Sequence, residues 1–238
     1  MDFERARSDL VTDGRLRAAI NLGNPILAQV AGDTLRGVTV ELAGELARRL
    51  DAPLDLVRFS SARYVVESVR KEALNVVFLA IDPKRANELS FSSPYVLLEG
   101  NYVVRDNAPV RTNEDLDLTR SAIGAVRGSA YDLHLSATLK SATIVRYATH
   151  EDAVAAFRDG HLTAVAGIRQ PMTDLASRDP GLRLIETPFM TIRQAMAVPK
   201  DRDAGLAYLE LFLEQMRSSG FIADALERSG QGKAATIP

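Results

Sequence analysis

The sequence predicts an α/β fold in two lobes, each with a mainly parallel sheet flanked by helices. Stretches typical of strands and of helices alternate along the 238 residues, as they do in parallel sheets covered by helices. A polar segment at residues 105–109 interrupts this pattern, which then restarts. A long amphipathic stretch near the end of the chain indicates a last helix that returns to the first lobe.

Before the polar segment, the pattern predicts strands, helices and one extended crossover. The helix over 38–50 has apolar residues at helical spacing, and Pro53 stops it. Residues 95–104 are apolar, aromatic and β-branched, which indicates an extended crossover broken by Gly100. The strands are expected at 16–20, 54–57 and 75–80, and a second helix at 64–69.

After the polar segment, the same alternation predicts the second lobe. Its strands are expected at 121–126, 143–146 and 162–166, with helices from Tyr131 onward and at 151–158. The short apolar segment 195–199 precedes the amphipathic helix, and Gly220 is expected to be the C-terminal stop of that helix. The lobes are assigned as 1–104 with 199–238 for the first and 105–198 for the second, with crossings near 104–108 and 194–198.

Composition excludes several classes of function. The 29 basic and 31 acidic residues give a net charge of -2, which provides no basic surface for nucleic acid and no polybasic segment for a membrane. The chain has no cysteine, which excludes disulfides, thiolate nucleophiles and cysteine-ligated metals. None of its histidines is paired at metal-ligand spacing. We therefore expect neither a metal nor a cofactor.

One segment carries a more specific pattern than the rest. An apolar strand at 75–80 is followed by a turn that contains Arg85, and then by Leu-Ser-Phe-Ser-Ser-Pro-Tyr at 89–95. This order of strand, arginine turn and Phe-Ser-x-Pro-Tyr resembles the family 3 extracellular solute-binding proteins of bacterial ABC importers, which often bind polar amino acids. Weaker matches follow the family's order through nearly the whole chain, and they are Gly14–Arg17, Gly37–Val38, Leu42–Ala47 and Gly220–Phe221.

The resemblance implies a type II periplasmic-binding-protein fold, with a ligand cleft between two lobes and a hinge that closes it. It implies a solute-binding protein, not an enzyme, that captures a small polar, carboxylate-bearing ligand for an ABC-type transporter. The membrane subunits of that transporter would be its partners, and we expect a monomer that binds no nucleic acid. Residues 1–9 are polar and charged, unlike a signal peptide, so the implied periplasmic location stands beside a cytoplasmic one.

Arg85 is the principal candidate for ligand binding. It follows a strand that is expected to end near Ala80 or Ile81. A guanidinium can bind a carboxylate through two parallel hydrogen bonds, and the resemblance implies that Arg85 does so with the α-carboxylate of the ligand. The plainer interpretation is an exposed surface arginine in a polar turn beside Lys84.

The segment Gly128–Asp132 is the expected counterpart in the second lobe, between a predicted strand and a predicted helix. Gly128 permits an unusual backbone angle, Ser129 can cap the helix, and the free N–H groups of the first turn then favour an anion. In the family this turn contacts the ligand. By themselves, these residues also suit an ordinary helix cap.

The segment Ala166–Gln170 departs from the family pattern. Amino-acid binders of the family usually place an aspartate near this point, paired with the α-ammonium of the ligand. The corresponding residue here is Ile168, with Arg169 beside it. A second guanidinium repels an ammonium and attracts an anion, so we expect an acidic ligand unless another acid, such as Glu99, compensates. A solvated surface charge is the alternative interpretation of Arg169.

Side chains after the first two strands complete the predicted site. Asn21 and Asn24 could hydrogen-bond at the cleft floor, although Asn24 before Pro25 is also a common turn former. Phe59 could pack against the apolar part of a ligand or within the core. The predicted ligand-binding residues are Asn21, Asn24, Phe59, Ala80, Ile81, Arg85, Gly128, Ser129, Ala130, Tyr131, Gly167 and Arg169.

Two other functions stay open on the same fold. A dehydratase-like enzyme for a small carboxylic acid would use Tyr131, Asp132 or Glu99 as its acid or base. A ligand-sensing domain would need a partner chain, since the sequence predicts neither a DNA-binding helix pair nor a membrane helix. Motifs favour neither: Ser129 is not in a G-x-S-x-G elbow, and no glycine-rich phosphate loop is present.

Overall fold

The computed structural model describes residues 2–69, 71–118 and 120–238. Strands and helices alternate through them, which confirms the predicted α/β class. None of the helices in these ranges combines the length and the apolar character needed to cross a membrane. In chain order the elements are α1 (Phe3–Leu10), β1 (Leu16–Asn21), β2 (Gln29–Ala31), β3 (Thr34–Arg36), α2 (Val38–Arg49), β4 (Leu54–Phe59), α3 (Ala62–Ser68), β5 (Val76–Ala80), β6 (Leu89–Arg105), β7 (Ala122–Val126), α4 (Ala130–Thr138), β8 (Thr143–Tyr147), α5 (His150–Arg158), β9 (Ala164–Ile168), α6 (Arg169–Ser177), β10 (Leu182–Leu184), β11 (Met190–Pro199), α7 (Asp203–Ser218) and α8 (Phe221–Arg228).

The chain divides into two compact units. Unit 1 comprises Met1–Leu97 and Arg193–Pro238, and unit 2 comprises Leu98–Ile192. Strands β6 and β11 each run from one unit into the other, so the chain crosses between the units within these two strands. The predicted hinge positions near 104–108 and 194–198 stay a prediction, because the division into units does not show where the backbone bends.

The sheet of unit 1 has the order β4-β1-β5-β11, in which the first three strands are parallel and β11 is antiparallel to β5. All residues of β5 are buried, as expected of a continuous apolar strand covered on both faces. Val65 of α3 packs with Val77 and Leu79 of β5 in one hydrophobic core cluster. Because β1, β4 and β5 are parallel, their carboxyl ends lie at one edge of the sheet.

In unit 2, β7 lies between β8 and β9, and all three strands are parallel. Strand β9 pairs antiparallel with β6, which also pairs with β10. Phe157 of α5, Val165 of β9 and Met172 of α6 belong to one hydrophobic core cluster. The carboxyl ends of β7 and β9 therefore lie at the same edge of this sheet, where α4 and α6 begin.

Several segments differ from the prediction. Strand β6 continues through Gly100, where a Cβ atom would lie 2.8 Å from Met190 Cγ, so the glycine makes room for a neighbouring side chain. Helix α6 begins at Arg169, directly after β9, where no helix is predicted. Helices α1 and α8 are also absent from the prediction. Gly220 is confirmed as the stop of α7, since its φ of +78° is left-handed, and it also begins α8.

Candidate ligand-binding site

The predicted binding residues of unit 1 gather at one edge of its sheet. Asn21, Phe59 and Ala80 are the last residues of β1, β4 and β5, and Asn21 and Phe59 are paired in the strand register. Ile81 follows directly, and its N–H donates to the Arg193 carbonyl at 2.9 Å. This carboxyl edge is where open α/β sheets bind ligands.

Arg85 is held in the turn after β5, and its side chain is buried. The residue is only 4% exposed, and its Nη1 donates to the Ala80 carbonyl at 3.0 Å. The Asp82 carboxylate shapes the turn by accepting from the Lys84 N–H at 2.8 Å and from the Arg85 N–H at 3.3 Å. Burial lowers the pKa of Arg85 to about 10, and the charge of Asp82 opposes this shift. Arg85 is therefore a buried cation at neutral pH, and the interpretation as an exposed surface arginine is wrong.

The two asparagines shape the loop after β1. Asn21 Oδ1 accepts from the Gly23 N–H at 3.0 Å, and Asn24 Oδ1 accepts from the Ile26 N–H at 3.2 Å. Asn24 is thus the predicted turn former, and it is buried. Phe59 packs against the core cluster that contains Val77 and Leu79. Direct contact of these three side chains with a ligand stays a prediction.

The Gly128–Tyr131 turn of unit 2 connects the carboxyl end of β7 to α4. Gly128 has φ +70°, and Ser129 is the N-cap, whose Oγ accepts from the Asp132 N–H at 3.1 Å. The Ser129 N–H donates to the Val126 carbonyl at 3.1 Å. The predicted cap is confirmed. Ala130 and Tyr131 occupy the first two helical positions, where N–H groups have no intrahelical acceptor.

The Tyr131 side chain is buried within unit 2, at 7% exposure. Burial raises the pKa of its phenol to about 12, although hydrogen bonding to the Ser129 side chain lowers it. The phenol is therefore protonated at neutral pH. Such a group serves more readily as a hydrogen-bond donor than as a general base.

The sequence places Asp132 at the end of this turn and makes it a candidate acid or base, and the structure gives its carboxylate several partners. Its Oδ2 accepts from the Gly128 N–H at 2.8 Å, and its Oδ1 accepts from Arg146 Nε at 2.8 Å. The Ser136 hydroxyl approaches the same Oδ1 at 3.3 Å. The Asp132 side chain is 5% exposed, so this carboxylate is a buried, ion-paired anchor of the turn. No sequence motif indicates Arg146, which lies on a neighbouring strand.

Arg169 is not an uncompensated positive charge. Its Nη1 donates to Glu99 Oε2 at 3.1 Å and to the Glu186 carbonyl at 2.9 Å, and its Nη2 donates to Glu186 Oε2 at 2.6 Å. The Arg169 side chain is 37% exposed. Glu99 and Glu186 thus both pair with Arg169, and Glu186 is a carboxylate that sequence reasoning missed. That Glu99 takes the place of the family's aspartate stays a prediction.

Gly167 and Asn101 support this acidic cluster, which comprises Glu99, Arg169 and Glu186. A Cβ at Gly167 would lie 2.8 Å from Met172 Cε, so the glycine lets α6 pack closely on β9. Asn101 is fully buried, and its Nδ2 donates to the carbonyls of Ile185 at 3.0 Å and Glu186 at 3.2 Å. These amide contacts fix the segment that carries Glu186.

The described residues contain no group of three or more His, Cys, Asp or Glu side chains arranged to hold a metal ion. Each unit presents a set of polar groups of its own. Unit 1 contributes a buried guanidinium at the edge of its sheet, and unit 2 contributes a capped helix start together with the acidic cluster.

The family of this chain follows from its similarity to known proteins. The sequence model of the bacterial extracellular solute-binding proteins, family 3, matches residues 16–231. The chain belongs to this family. The resemblance carried by the arginine turn and the Phe-Ser-x-Pro-Tyr segment is thereby confirmed, and family 3 membership extends over nearly the whole chain.

Solved structures similar to this family 3 chain have the two-lobed fold of periplasmic binding proteins. The L-cysteine solute receptor of Neisseria gonorrhoeae has a TM-score of 0.78 at 19% identity, over 96% of this chain and 93% of that one. An amino acid ABC transporter substrate-binding protein of Streptococcus pneumoniae, bound to L-arginine, has a TM-score of 0.77 at 19% identity, over 93% and 96%. An ancestral amino acid-binding protein, a precursor of cyclohexadienyl dehydratase, has a TM-score of 0.75 at 18% identity, over 90% and 95%.

Proposed function

We propose that this chain is a non-enzymatic solute-binding protein that captures a small polar molecule with a carboxylate, either an amino acid or an organic acid. The observation that carries the proposal is Arg85, a buried guanidinium at the carboxyl edge of the unit 1 sheet. A guanidinium can bind a carboxylate through two parallel charge-assisted hydrogen bonds, and such contacts are strong in a buried site. The Gly128–Tyr131 turn offers N–H donors at the start of α4.

The acidic cluster favours an amino acid within this class of ligand. It contains two carboxylates against one guanidinium, so its net charge is negative. A negative group near the binding edge of unit 2 would attract an α-ammonium. The similar proteins that bind L-cysteine and L-arginine support the same assignment.

Ligand capture would proceed by hinge closure, since each unit presents a polar carboxyl edge and two strands connect the units. The captured solute would be delivered to the membrane subunits of an ABC-type importer, in the periplasm or at the cell exterior. The family description as extracellular solute-binding proteins supports this location.

A dehydratase-like enzyme is the alternative, because an ancestral precursor of cyclohexadienyl dehydratase is among the similar structures. That precursor is itself described as an amino acid-binding protein. The side chains that an enzyme would use here already have other partners: Asp132 is paired with Arg146, and Glu99 with Arg169. The buried Tyr131 phenol is a poor base. These contacts favour binding without turnover.

A thermal-shift screen tests the proposed function. Refolded protein, freed of any ligand retained through purification, is heated with the twenty common L-amino acids and with small mono- and dicarboxylates. A binding protein gains thermal stability from one or a few of them, and mass spectrometry finds the solute unchanged. Conversion of the solute would favour the enzyme, and the absence of any shift would contradict the proposal.

Substitution of Arg85 tests its role in carboxylate binding. Losing a buried charge-assisted contact costs about 2 to 5 kcal/mol, so Arg85→Ala should weaken binding by roughly thirty-fold or more. Arg85→Lys retains the charge but not the paired donors, and should also weaken binding. The control is Arg49→Lys, at the end of α2 that leads into the amino end of β4. Equal affinity of all three variants by calorimetry would contradict the role of Arg85.

A further inference from the structure

Asp132 lies outside the predicted ligand-binding set, yet its carboxylate is bonded directly to the backbone of that set. We infer that Asp132 is a positioning residue, which holds the Gly128–Tyr131 turn in its ligand-binding conformation with the support of Arg146. This inference rests on the proposed function, since the turn must bind the ligand for its position to affect affinity.

The Asp132 carboxylate is itself held in place by its neighbours. The Asp132 side chain is 5% exposed, and burying a charge is costly unless it is paired and hydrogen-bonded. Arg146 Nε supplies the pairing at 2.8 Å, and Arg146 Nη2 also donates to the Ser136 hydroxyl at 2.7 Å. Ser136 in turn donates to the Asp132 carbonyl at 2.6 Å. Strand β8 and helix α4 therefore hold the carboxylate from two sides.

The fixed carboxylate determines the path of the turn. Its other oxygen accepts from the Gly128 N–H, while the Asp132 N–H donates to Ser129 Oγ. In an ordinary capping box, the acidic residue at the third helical position bonds the N–H of the N-cap. Here the Asp132 carboxylate accepts from the N–H of Gly128, the residue before the N-cap, and the Ser129 N–H donates to the Val126 carbonyl. The arrangement fixes Gly128 at a φ of +70°.

The order of the turn should affect the affinity for the ligand. If the turn is already ordered before the ligand binds, less of the binding free energy is lost in ordering it. The N–H groups of Ala130 and Tyr131 follow the anchored residues directly and start the helix. If the anchor is lost, these donors should lose their fixed orientation, and binding should weaken even though Asp132 is outside the predicted ligand-binding set.

Asp132→Asn is the test variant, because the amide retains the size of the side chain while one acceptor oxygen becomes a donor. The matched control is Asp117→Asn in the same unit. Asp117 also bonds backbone, accepting from the N–H groups of Lys140, Ser141 and Ala142, but these residues precede β8 at the opposite edge of the sheet. Arg146→Gln is a second variant, which leaves the Gly128 bond in place.

Two measurements are made on the full chain: amide hydrogen exchange of Gly128 by NMR without ligand, and calorimetric affinity for the common L-amino acid that gives the largest thermal shift with the unaltered chain. We expect faster exchange at Gly128 in Asp132→Asn, and an affinity about tenfold lower, equivalent to the loss of one hydrogen bond to a charged group. Asp117→Asn should leave both unchanged. Arg146→Gln should lower affinity by a smaller factor.

An affinity of folded Asp132→Asn equal to that of Asp117→Asn would overturn the inference and leave the proposed function intact. If Asp132→Asn does not fold, Arg146→Gln decides, and an unchanged affinity overturns the inference. If no L-amino acid stabilises either the unaltered chain or Asp117→Asn, the proposed amino acid function fails and the inference fails with it. That outcome is recognisable because the control is then as unresponsive as the test variant.

Discussion

Arg85 and Arg169 each follow a buried strand, but their guanidinium groups have different surroundings. Arg85 is buried against a backbone carbonyl at the end of β5, where desolvation lowers its pKa. Arg169 is partly exposed and is paired with Glu99 and Glu186. The same residue type thus offers a buried cation in unit 1 and part of a negatively charged cluster in unit 2. The charge of the ligand is expected to depend on that difference.

Arg169→Ala tests this expectation. Removing the guanidinium leaves Glu99 and Glu186 uncompensated, so the preference for L-arginine over L-glutamate should rise by roughly fivefold, the upper range for partly exposed ion pairs. Calorimetric titration with both amino acids measures the ratio of affinities. Arg178→Ala is the control, because it removes the same charge at the other end of α6. An unchanged ratio, or an equal change in both variants, would contradict a role of the cluster in ligand selection.

At the scale of elements, local pattern predicted α2 and β5 closely and failed at α6. Apolar periodicity is enough where one face of a helix or a whole strand is buried, as for Val38–Arg49 and Val76–Ala80. Helix α6 begins directly after β9 without a loop, and its N-cap Ile168 has no side-chain capping bond. Pro171, its third residue, belongs to a type that breaks helices when it lies in their interior. The partners of Arg169 were equally hidden, since Glu99 is 70 residues away in sequence.

Two glycines of the α2 region are expected to respond oppositely to alanine. Gly37, the N-cap, has φ +119°, and a Cβ there would lie 2.4 Å from the Leu27 carbonyl oxygen, so Gly37→Ala should lower the free energy of unfolding by a few kcal/mol. Gly44 lies inside the helix with open space at its Cβ position, so Gly44→Ala should raise it by about 1 kcal/mol. Chemical denaturation measures both. Destabilisation by Gly44→Ala, or a neutral Gly37→Ala, would contradict this description of the helix start.

At the scale of the whole molecule, the sequence motif identified the family, which the periodicity of apolar residues alone could not do. Strand and helix order predicted an α/β chain with a late return, and the last helices do lie in unit 1 with the first ones. There the Gly205 N–H of α7 donates to Asp9 Oδ2 of α1 at 2.9 Å. That contact joins residues 196 positions apart, which no local pattern encodes. The arginine turn with Phe-Ser-x-Pro-Tyr, by contrast, identified the family from residues 75–95 alone.

We expect the protein to close around its ligand by a hinge motion. If a ligand bridges the polar edge of unit 1 and that of unit 2, its contacts exist only when the two edges approach, so ligand favours the closed state by its differential affinity. Small-angle scattering should then show a smaller radius of gyration when the best solute of the thermal-shift screen is added to the unaltered chain. Arg85→Ala at the same solute concentration is the control, and its radius of gyration should fall less, because it binds roughly thirty-fold more weakly and is therefore only partly occupied. A profile that does not change when calorimetry on the same sample shows full occupancy would mean that this protein binds its ligand without closing.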